Sequence, residues 1–353
     1  MERTPLTSTS LRSVGYDSGQ QVLEIEFQDD LIYRYSEVPQ EVYDHLVAAD
    51  SHGQYFNANI RNAYPYLRIN HVLTDKKYVE ELRFSVTEDQ LAHEGIAIHP
   101  VATARSTIGI LCIHGNTSRF SDFPYIIMGR ALAERGYLFV SGNTRGHDVA
   151  ASIWSDAHMQ HIAGGSAWER LEDAPQDVAA WIDDMVSLGV ERVVLVGHSQ
   201  GAAKVTYYQA LRQDARTAGI VLASPDLHGH WRGVLDEARR LVEQNREDEV
   251  LPDFINAPWY RLSAKNILSR AAVLDHIYTS VDGPPTIASV RVPILALFGD
   301  AGDVGGQAEL ETIKTQATAF SQVQTAIIPG ADHGYTNTEG AVAKVIADWI
   351  STL

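Results

Sequence analysis

The sequence predicts an α/β protein: an eight-stranded, mostly parallel sheet with helices on both faces, preceded by a small α+β domain. Three observations predict it. From residue 82 onward, eight short apolar runs are separated mainly by segments whose apolar residues recur at helical spacing. Such alternation places strands side by side with helices packed over them. Before about residue 65 the pattern differs, with short strand-like runs, one helical segment and many tyrosines.

In that first region the runs 22–27 and 31–35 flank Asp29 and Asp30, the pattern of a β-hairpin with a polar turn. Pro39 suits the first turn of a helix. Val42, Leu46 and Ala49 then recur at helical spacing, beside Tyr43 and Val47, and Gly53 can end that helix.

These residues carry a resemblance. Val14-Gly15-Tyr16-Asp17, Tyr33-Arg34-Tyr35, Val38-Pro39, Ala49-Asp50-Ser51-His52-Gly53-Gln54-Tyr55-Phe56-Asn57, Ile60-Arg61 and Tyr64 resemble the KTSC domain, a short bacterial module also found at the C-terminus of some lysyl-tRNA synthetases. The resemblance covers about residues 7–66, so the first domain is expected at residues 1–66 and the second at 67–353. RNA binding is a role suggested for that family. Residues 1–64 hold four basic and ten acidic residues, however. That balance favours a packing or partner-docking module, with the aromatic residues as its core.

Charge bounds the partners of the whole chain as well. Its 28 basic and 45 acidic residues leave a net charge of −17. Phosphate recognition needs clustered Lys and Arg, so neither nucleic acid nor an anionic membrane surface is an expected partner. No apolar run approaches the roughly 18 residues that span a bilayer. Residues 1–20 are polar and lack the apolar stretch of a secretory signal, so the expected location is cytoplasmic. The single cysteine, Cys112, excludes an intramolecular disulfide and reads as a buried core thiol. Oligomeric state is not legible.

The strand-like runs of the second region are 82–86, 95–98, 108–113, 138–141, 193–196, 220–223, 294–298 and 324–328. Helical patterns occupy 126–135, 175–188, 202–213, 309–320 and 339–350. The first two runs have no helix between them, which suits an antiparallel start.

The chemistry starts at Gly197-His198-Ser199-Gln200-Gly201, which follows an apolar strand and precedes a helical pattern. A serine on a sharp strand-to-helix turn sits in a strained backbone, where side chains two positions to either side would collide. Glycines at 197 and 201 remove them. Ser199 is therefore the candidate nucleophile, and an alcohol at neutral pH needs a base. Among fourteen histidines, His333 has the right position, in a turn between the last apolar strand and the C-terminal helix. The acid should follow the strand before that one, where Gly299-Asp300-Ala301-Gly302-Asp303 offers two aspartates. Asp303 is preferred, since Gly302 frees the backbone to turn it inward, and Asp300 is the alternative. His114-Gly115-Asn116-Thr117 ends the third strand. There the N–H of Asn116, with that of Gln200, can form an oxyanion hole. His114 itself reads as structural.

Residues from about 78 to 353, carrying these segments in the order Ser, Asp, His, resemble the α/β-hydrolase superfamily. Gly164-Gly165-Ser166-Ala167-Trp168-Glu169 and Lys204 are similar to members close to the dienelactone hydrolases and esterases. The resemblance implies hydrolysis of an ester or related acyl compound without a metal or organic cofactor. It also implies that the catalytic aspartate follows the glycine matching Gly299 by three or four residues, which again favours Asp303. In that resemblance Asn143-Thr144-Arg145-Gly146-His147 is a structural turn, with Arg145 as its anchor. Residues 226–291 stand where the superfamily places a lid. Helical patterns fill 233–246 and 264–277, and Trp231, Trp259 and Tyr260 either line a substrate pocket or form the lid's own core. Asp156, His158 and His161 match no standard zinc spacing, so no metal is expected.

The lead expectation is therefore a serine hydrolase that cleaves a small carboxylic ester through an acyl-Ser199 intermediate. The same triad could serve a lactone, thioester or amide, or transfer the acyl group to an acceptor other than water. A reading of another class is a non-catalytic binding protein whose N-terminal domain contacts a partner or RNA.

Overall fold

The structure is a computed structural model. It describes residues 3–28, 32–69, 77–101, 106–227, 232–251, 261–280, 282–319 and 322–353. The chain forms two compact units, Met1–Lys76 and Lys77–Leu353.

The first unit contains β1 (Thr4–Pro5), β2 (Leu11–Asp17), β3 (Val22–Phe27), β4 (Ile32–Tyr35), α1 (Gln40–Ala48), α2 (His52–Asn59) and β5 (Tyr66–Ile69). The strands form one antiparallel sheet in sequence order. Leu11, Val14, Leu23, Ile25 and Tyr35 from the sheet bury against Leu46 of α1 and Phe56 of α2. Glu24, buried on β3, is matched by Arg34 directly across on β4, with Nη2 donating to Oε1 at 2.7 Å. The aromatic residues are largely core: Tyr16 stacks on Tyr43, and Phe56 meets Phe27 and Tyr35 edge-on.

Two features of this unit depart from expectation. Gly53 does not end α1, which stops at Ala48; it lies inside α2. A Cβ at Gly53 would stand 2.6 Å from Ser10 Oγ, so the glycine permits close approach to the sheet rather than a helix stop. The sheet also runs on through β5, which starts at Tyr66 and pairs with β4, and the compact unit extends to Lys76. The Asp29–Asp30 turn lies outside the described residues.

The second unit opens with β6 (Tyr78–Val86), β7 (Ala92–Pro100), β8 (Ile108–Ile113), α3 (Phe123–Ala133) and β9 (Phe139–Gly142). A hairpin follows, β10 (Ala151–Ser155) and β11 (Gln160–Gly164), then α4 (Ala174–Ser187), β12 (Arg192–His198), α5 (Gln200–Arg212) and β13 (Thr217–Ala223). Next come α6 (Leu235–Glu243) and α7 (Ala264–Val273), then β14 (Ile294–Gly299), α8 (Gln307–Gln316), β15 (Val323–Ile328) and α9 (Glu339–Ile350).

Eight strands form one sheet in the order β15-β14-β13-β12-β8-β9-β7-β6. The pairings of β6 with β7 and of β7 with β9 are antiparallel, and the rest are parallel. Successive residues of a strand face opposite ways, so a strand buried on both faces must be apolar throughout. On β8, Leu111 and Ile113 pack with Val178, Trp181 and Tyr208 of α4 and α5, while Ile110 and Cys112 pack with Met128, Leu132 and Ile346 of α3 and α9. Burial pushes the Cys112 thiol pKa up.

The β10–β11 hairpin has no counterpart in the sequence reading, because neither strand is an apolar run. It carries the three residues weighed as metal ligands. Asp156 accepts from Trp154 Nε1 at 2.6 Å, His158 Nδ1 meets Ser155 Oγ at 3.0 Å, and His161 packs against the Trp154 ring. The insertion between β13 and β14 has a small core of its own, in which Ala238 and Leu241 of α6 meet Leu251, Leu262 and Ile267. Among the described residues, no helix is long and apolar enough to cross a membrane.

Candidate active site

The site is assembled at the C-terminal ends of the parallel strands. β12 runs alongside β8, with Gly197 opposite Ile113, so the turn after β12 lies against the loop after β8. Ser199 occupies that turn with φ +53° and ψ −121°. A non-glycine residue there is strained by roughly 1–3 kcal/mol. The neighbouring backbones explain the two glycines. A Cβ on Gly197 would stand 2.3 Å from the Gly201 carbonyl oxygen, and one on Gly201 would stand 2.1 Å from the Ile113 carbonyl oxygen.

The loops after β14 and β15 meet at the same point, since Gly299 pairs with Ile328. His333 Nε2 lies 3.1 Å from Ser199 Oγ, and its Nδ1 lies 2.9 Å from Asp303 Oδ1. The structure thus brings Ser199, His333 and Asp303 together. Asp300 lies elsewhere: it is exposed and accepts the Gly330 N–H at 2.6 Å, joining the two loops.

The Asp303 carboxyl is fully buried yet accepts four hydrogen bonds. Besides His333, these come from Ser224 Oγ at 2.5 Å, the Gly299 N–H at 2.7 Å and the Val304 N–H at 2.7 Å. Burial alone would raise its pKa; the hydrogen bonds outweigh burial and hold it below the ordinary carboxylate value. Asp303 is therefore an anion at neutral pH. As an acceptor it requires His333 to carry its proton on Nδ1, which leaves Nε2 free to take one from Ser199.

His198 stands behind this arrangement. Its Nε2–H donates to the His333 carbonyl at 2.7 Å, and its Nδ1 accepts from Tyr125 Oη at 2.9 Å. Tyr125 Oη in turn lies 3.3 Å from the Gly115 N. Behind His198 lies a largely apolar cavity of about 110 Å³, lined in part by Tyr125, Met128, Val196 and Tyr335. Burial, helped by the charge that His333 can carry, pushes the His198 pKa down to about 4. His198 is thus a neutral brace, not a second base.

The loop after β8 brings Asn116 beside the turn, where a Cβ on Gly115 would stand 2.9 Å from Ser199 Cβ. Gln200 is the first residue of α5. Their side-chain oxygens share one donor: Arg270 Nη2 lies 2.7 Å from Asn116 Oδ1 and 3.3 Å from Gln200 Oε1. His114 is fully buried and faces away, with Nδ1 at 2.8 Å from its neighbour's carbonyl and Nε2 accepting the Thr144 N–H at 3.1 Å.

Lys204 and Glu169 form a buried ion pair at 2.7 Å, and Lys204 also donates to Thr144 at 2.9 Å. Arg145 is held by Asp177 and Asp89 on hydrogen bonds of 2.9–3.2 Å, which makes it a loop anchor rather than a free cation. Trp231, Trp259 and Tyr260, the expected pocket residues, lie outside the described residues. Sequence reasoning missed Ser224, Tyr125, His198 and Arg270. His198 stands inside the motif around Ser199 but at its variable position, the other three have no local motif, and each reaches the site from a different element.

The comparisons agree with this architecture. The family model "Alpha/beta hydrolase family" matches residues 110–346, and the KTSC domain model matches residues 7–64. A bifunctional esterase/perhydrolase from Acinetobacter calcoaceticus is 25% identical over 240 residues, covering 58% of this chain and 78% of that protein. An uncharacterized protein of Stutzerimonas stutzeri (strain A1501) is 49% identical over 71 residues, which is 20% of this chain and all of that one. Among solved structures, a thermostable carboxyl esterase from Bacillus coagulans in complex with glycerol superposes with a TM-score of 0.58 at 15% identity, over 78% of this chain and 98% of that one. That likeness is one of fold. The chain belongs to the alpha/beta hydrolase family and carries a KTSC domain ahead of its hydrolase fold.

Proposed function

We propose that this protein hydrolyses a small carboxylic ester through an acyl-Ser199 intermediate. The observation that carries the reading is the continuous relay from Ser199 Oγ through His333 to a buried, ionised Asp303. His333 Nε2 takes the Ser199 proton as Oγ attacks the ester carbonyl carbon. The oxyanion that forms is received by the N–H groups of Asn116 and Gln200, each such donor being worth on the order of 10² to 10³ in rate. As the tetrahedral species collapses, the C–O bond to the alcohol breaks and His333 returns the proton to it. Water, deprotonated by the same histidine, then attacks the acyl carbon; the bond to Ser199 Oγ breaks, His333 returns the proton to Oγ, and the acid leaves. Asp303 stays ionised and stabilises the imidazolium at both steps.

A second reading, transfer of the acyl group to hydrogen peroxide to give a peracid, is favoured by the relative named as an esterase/perhydrolase. It uses the same acyl-enzyme, with peroxide in place of water. The N-terminal unit, acidic and closed around its own aromatic core, we read as a packing or partner-docking module.

The test is a panel of aryl esters of graded acyl length, run with a fluorophosphonate probe on the full chain and on Ser199→Ala. The expected outcome is labelling of Ser199 and loss of labelling and nearly all turnover in the variant. Labelling at another serine, or undiminished hydrolysis by the variant, rejects the reading.

A further inference from the structure

The insertion between β13 and β14 sends one side chain beneath the candidate site. Arg270, on α7, is 2% exposed. Its Nη2 donates both to Asn116 Oδ1 and to Gln200 Oε1. These two residues come from different elements, one from the loop after β8 and one from the start of α5. A single guanidinium group therefore ties together the two residues whose N–H groups are assigned to the oxyanion.

The guanidinium is itself held rigidly. Its Nε donates to Asn266 Oδ1 at 2.7 Å, and Asn266 Nδ2 donates to the Glu169 carbonyl at 2.7 Å. The Glu169 carboxylate, already paired with Lys204, lies 4.0 Å from Arg270 Nη2. A planar fork fixed in this way sets the orientation of each acceptor it meets, which a flexible ammonium does not. It also sets the sense of the Gln200 amide. The oxygen faces Arg270, and Nε2 is buried without a partner among the described residues. A buried cation and an unsatisfied amide both cost stability.

We propose that Arg270 is a positioning residue for the oxyanion hole: it holds Asn116 and Gln200 so that their N–H groups converge on one point beside Ser199. The insertion then contributes to the catalytic machinery. The inference rests on the reading of Ser199 as nucleophile. Donors act best at about 2.7–3.1 Å from the oxyanion, so loosening the pair weakens transition-state binding while leaving ground-state binding unchanged.

The experiment compares Arg270→Met, Arg270→Lys and Asn116→Ala in the full chain with the unsubstituted protein. Asn116→Ala cuts one tether but keeps the backbone N–H. Four quantities are measured: kcat, KM, the melting temperature, and the affinity of an aryl trifluoromethyl ketone, whose serine adduct carries the oxyanion. The expected result for Arg270→Met is a fall in kcat of roughly 10- to 100-fold with KM within twofold. The ketone should weaken by the same factor as kcat/KM, and Arg270→Lys should recover part of the loss. A lower melting temperature with kcat and ketone affinity both within threefold of the unsubstituted protein means a merely structural arginine and overturns the proposal. A raised KM at constant kcat overturns it too, because that marks a substrate contact. If Arg270→Met does not fold, Asn116→Ala decides: a fivefold or greater loss of kcat at constant KM supports the proposal, and a smaller one overturns it. A fluorophosphonate control separates the two levels of argument. An unreactive Ser199 in the unsubstituted protein rejects both the hydrolase reading and this inference, whereas a reactive Ser199 indifferent to Arg270 rejects the inference alone.

Discussion

Ser224 Oγ donates to Asp303 Oδ2 at 2.5 Å and lies 2.7 Å from Tyr335 Oη. A carboxylate accepts only, so the serine proton points at Asp303 and Tyr335 supplies the proton of the second bond. The face of Asp303 turned away from His333 is thus closed by a two-residue chain.

Removing that hydroxyl should cost activity without unfolding the protein. Ser224 has φ +48°, a left-handed conformation that glycine adopts without strain, so Ser224→Gly is the suitable variant. A hydrogen bond to a charged group is worth about 1.5–3 kcal/mol. Part of that should appear as a fall in kcat of about tenfold or somewhat more, with a circular dichroism spectrum like that of the parent. An unchanged kcat would mean that the Gly299 and Val304 N–H groups orient Asp303 by themselves.

The two aspartates of the loop after β14 should separate cleanly. Asp303→Asn removes the acceptor that keeps the His333 proton on Nδ1, and a loss in kcat near 10⁴ is expected. Asp300→Asn weakens a surface link to the Gly330 N–H and should change kcat by no more than a few-fold. Parallel assays on both variants check this. Collapse of the Asp300 variant with survival of the Asp303 variant would reverse the assignment.

His198 should make stability depend on pH. Its pKa is about 4 in the folded chain, against about 6.5 when unfolded. Between these values the unfolded chain binds a proton that the folded chain refuses. Acidification through that window therefore favours unfolding, and the contribution is lost as pH falls from 6.5 to 4. His198→Gln keeps a donor for the His333 carbonyl but cannot titrate. Urea unfolding at pH 6.5, 5.5 and 4.5 should show a shallower decline in the variant, by up to roughly 3 kcal/mol over the window. Parallel declines would place the acid sensitivity elsewhere.

The hydrolase unit should fold without the unit before it. Each unit has a buried apolar core of its own, with Leu11, Leu23, Leu46 and Phe56 in that of the first and Trp181, Leu195, Val196 and Ile346 in those of the second. A chain of residues 77–353 should remain soluble and react with a fluorophosphonate at Ser199. An unreactive, aggregated product under every condition would show that the two units fold as one.

Much of the architecture was legible in the sequence because it follows from local rules. Strands covered on both faces must be apolar throughout, so the inner runs of the main sheet stand out, with β8, β9, β13 and β14 buried along their whole length. The turn around Ser199 is equally local, since its strain requires small residues within two positions. The hairpin β10–β11 and the strands β1, β2 and β5 lacked such a signature, for their residues mix polar and apolar without a clean period. What the tertiary structure decided is which polar groups meet. Asp300 and Asp303 differ by three residues in one loop, and only the folded course of that loop turns one carboxylate toward His333 and the other toward Gly330. Ser224 and Arg270 stand 25 and 71 residues from Ser199 along the chain and have no motif around them. Their roles come from directional hydrogen bonds, which depend on positions to within a fraction of an ångström, and only the packed sheet and helices set those positions.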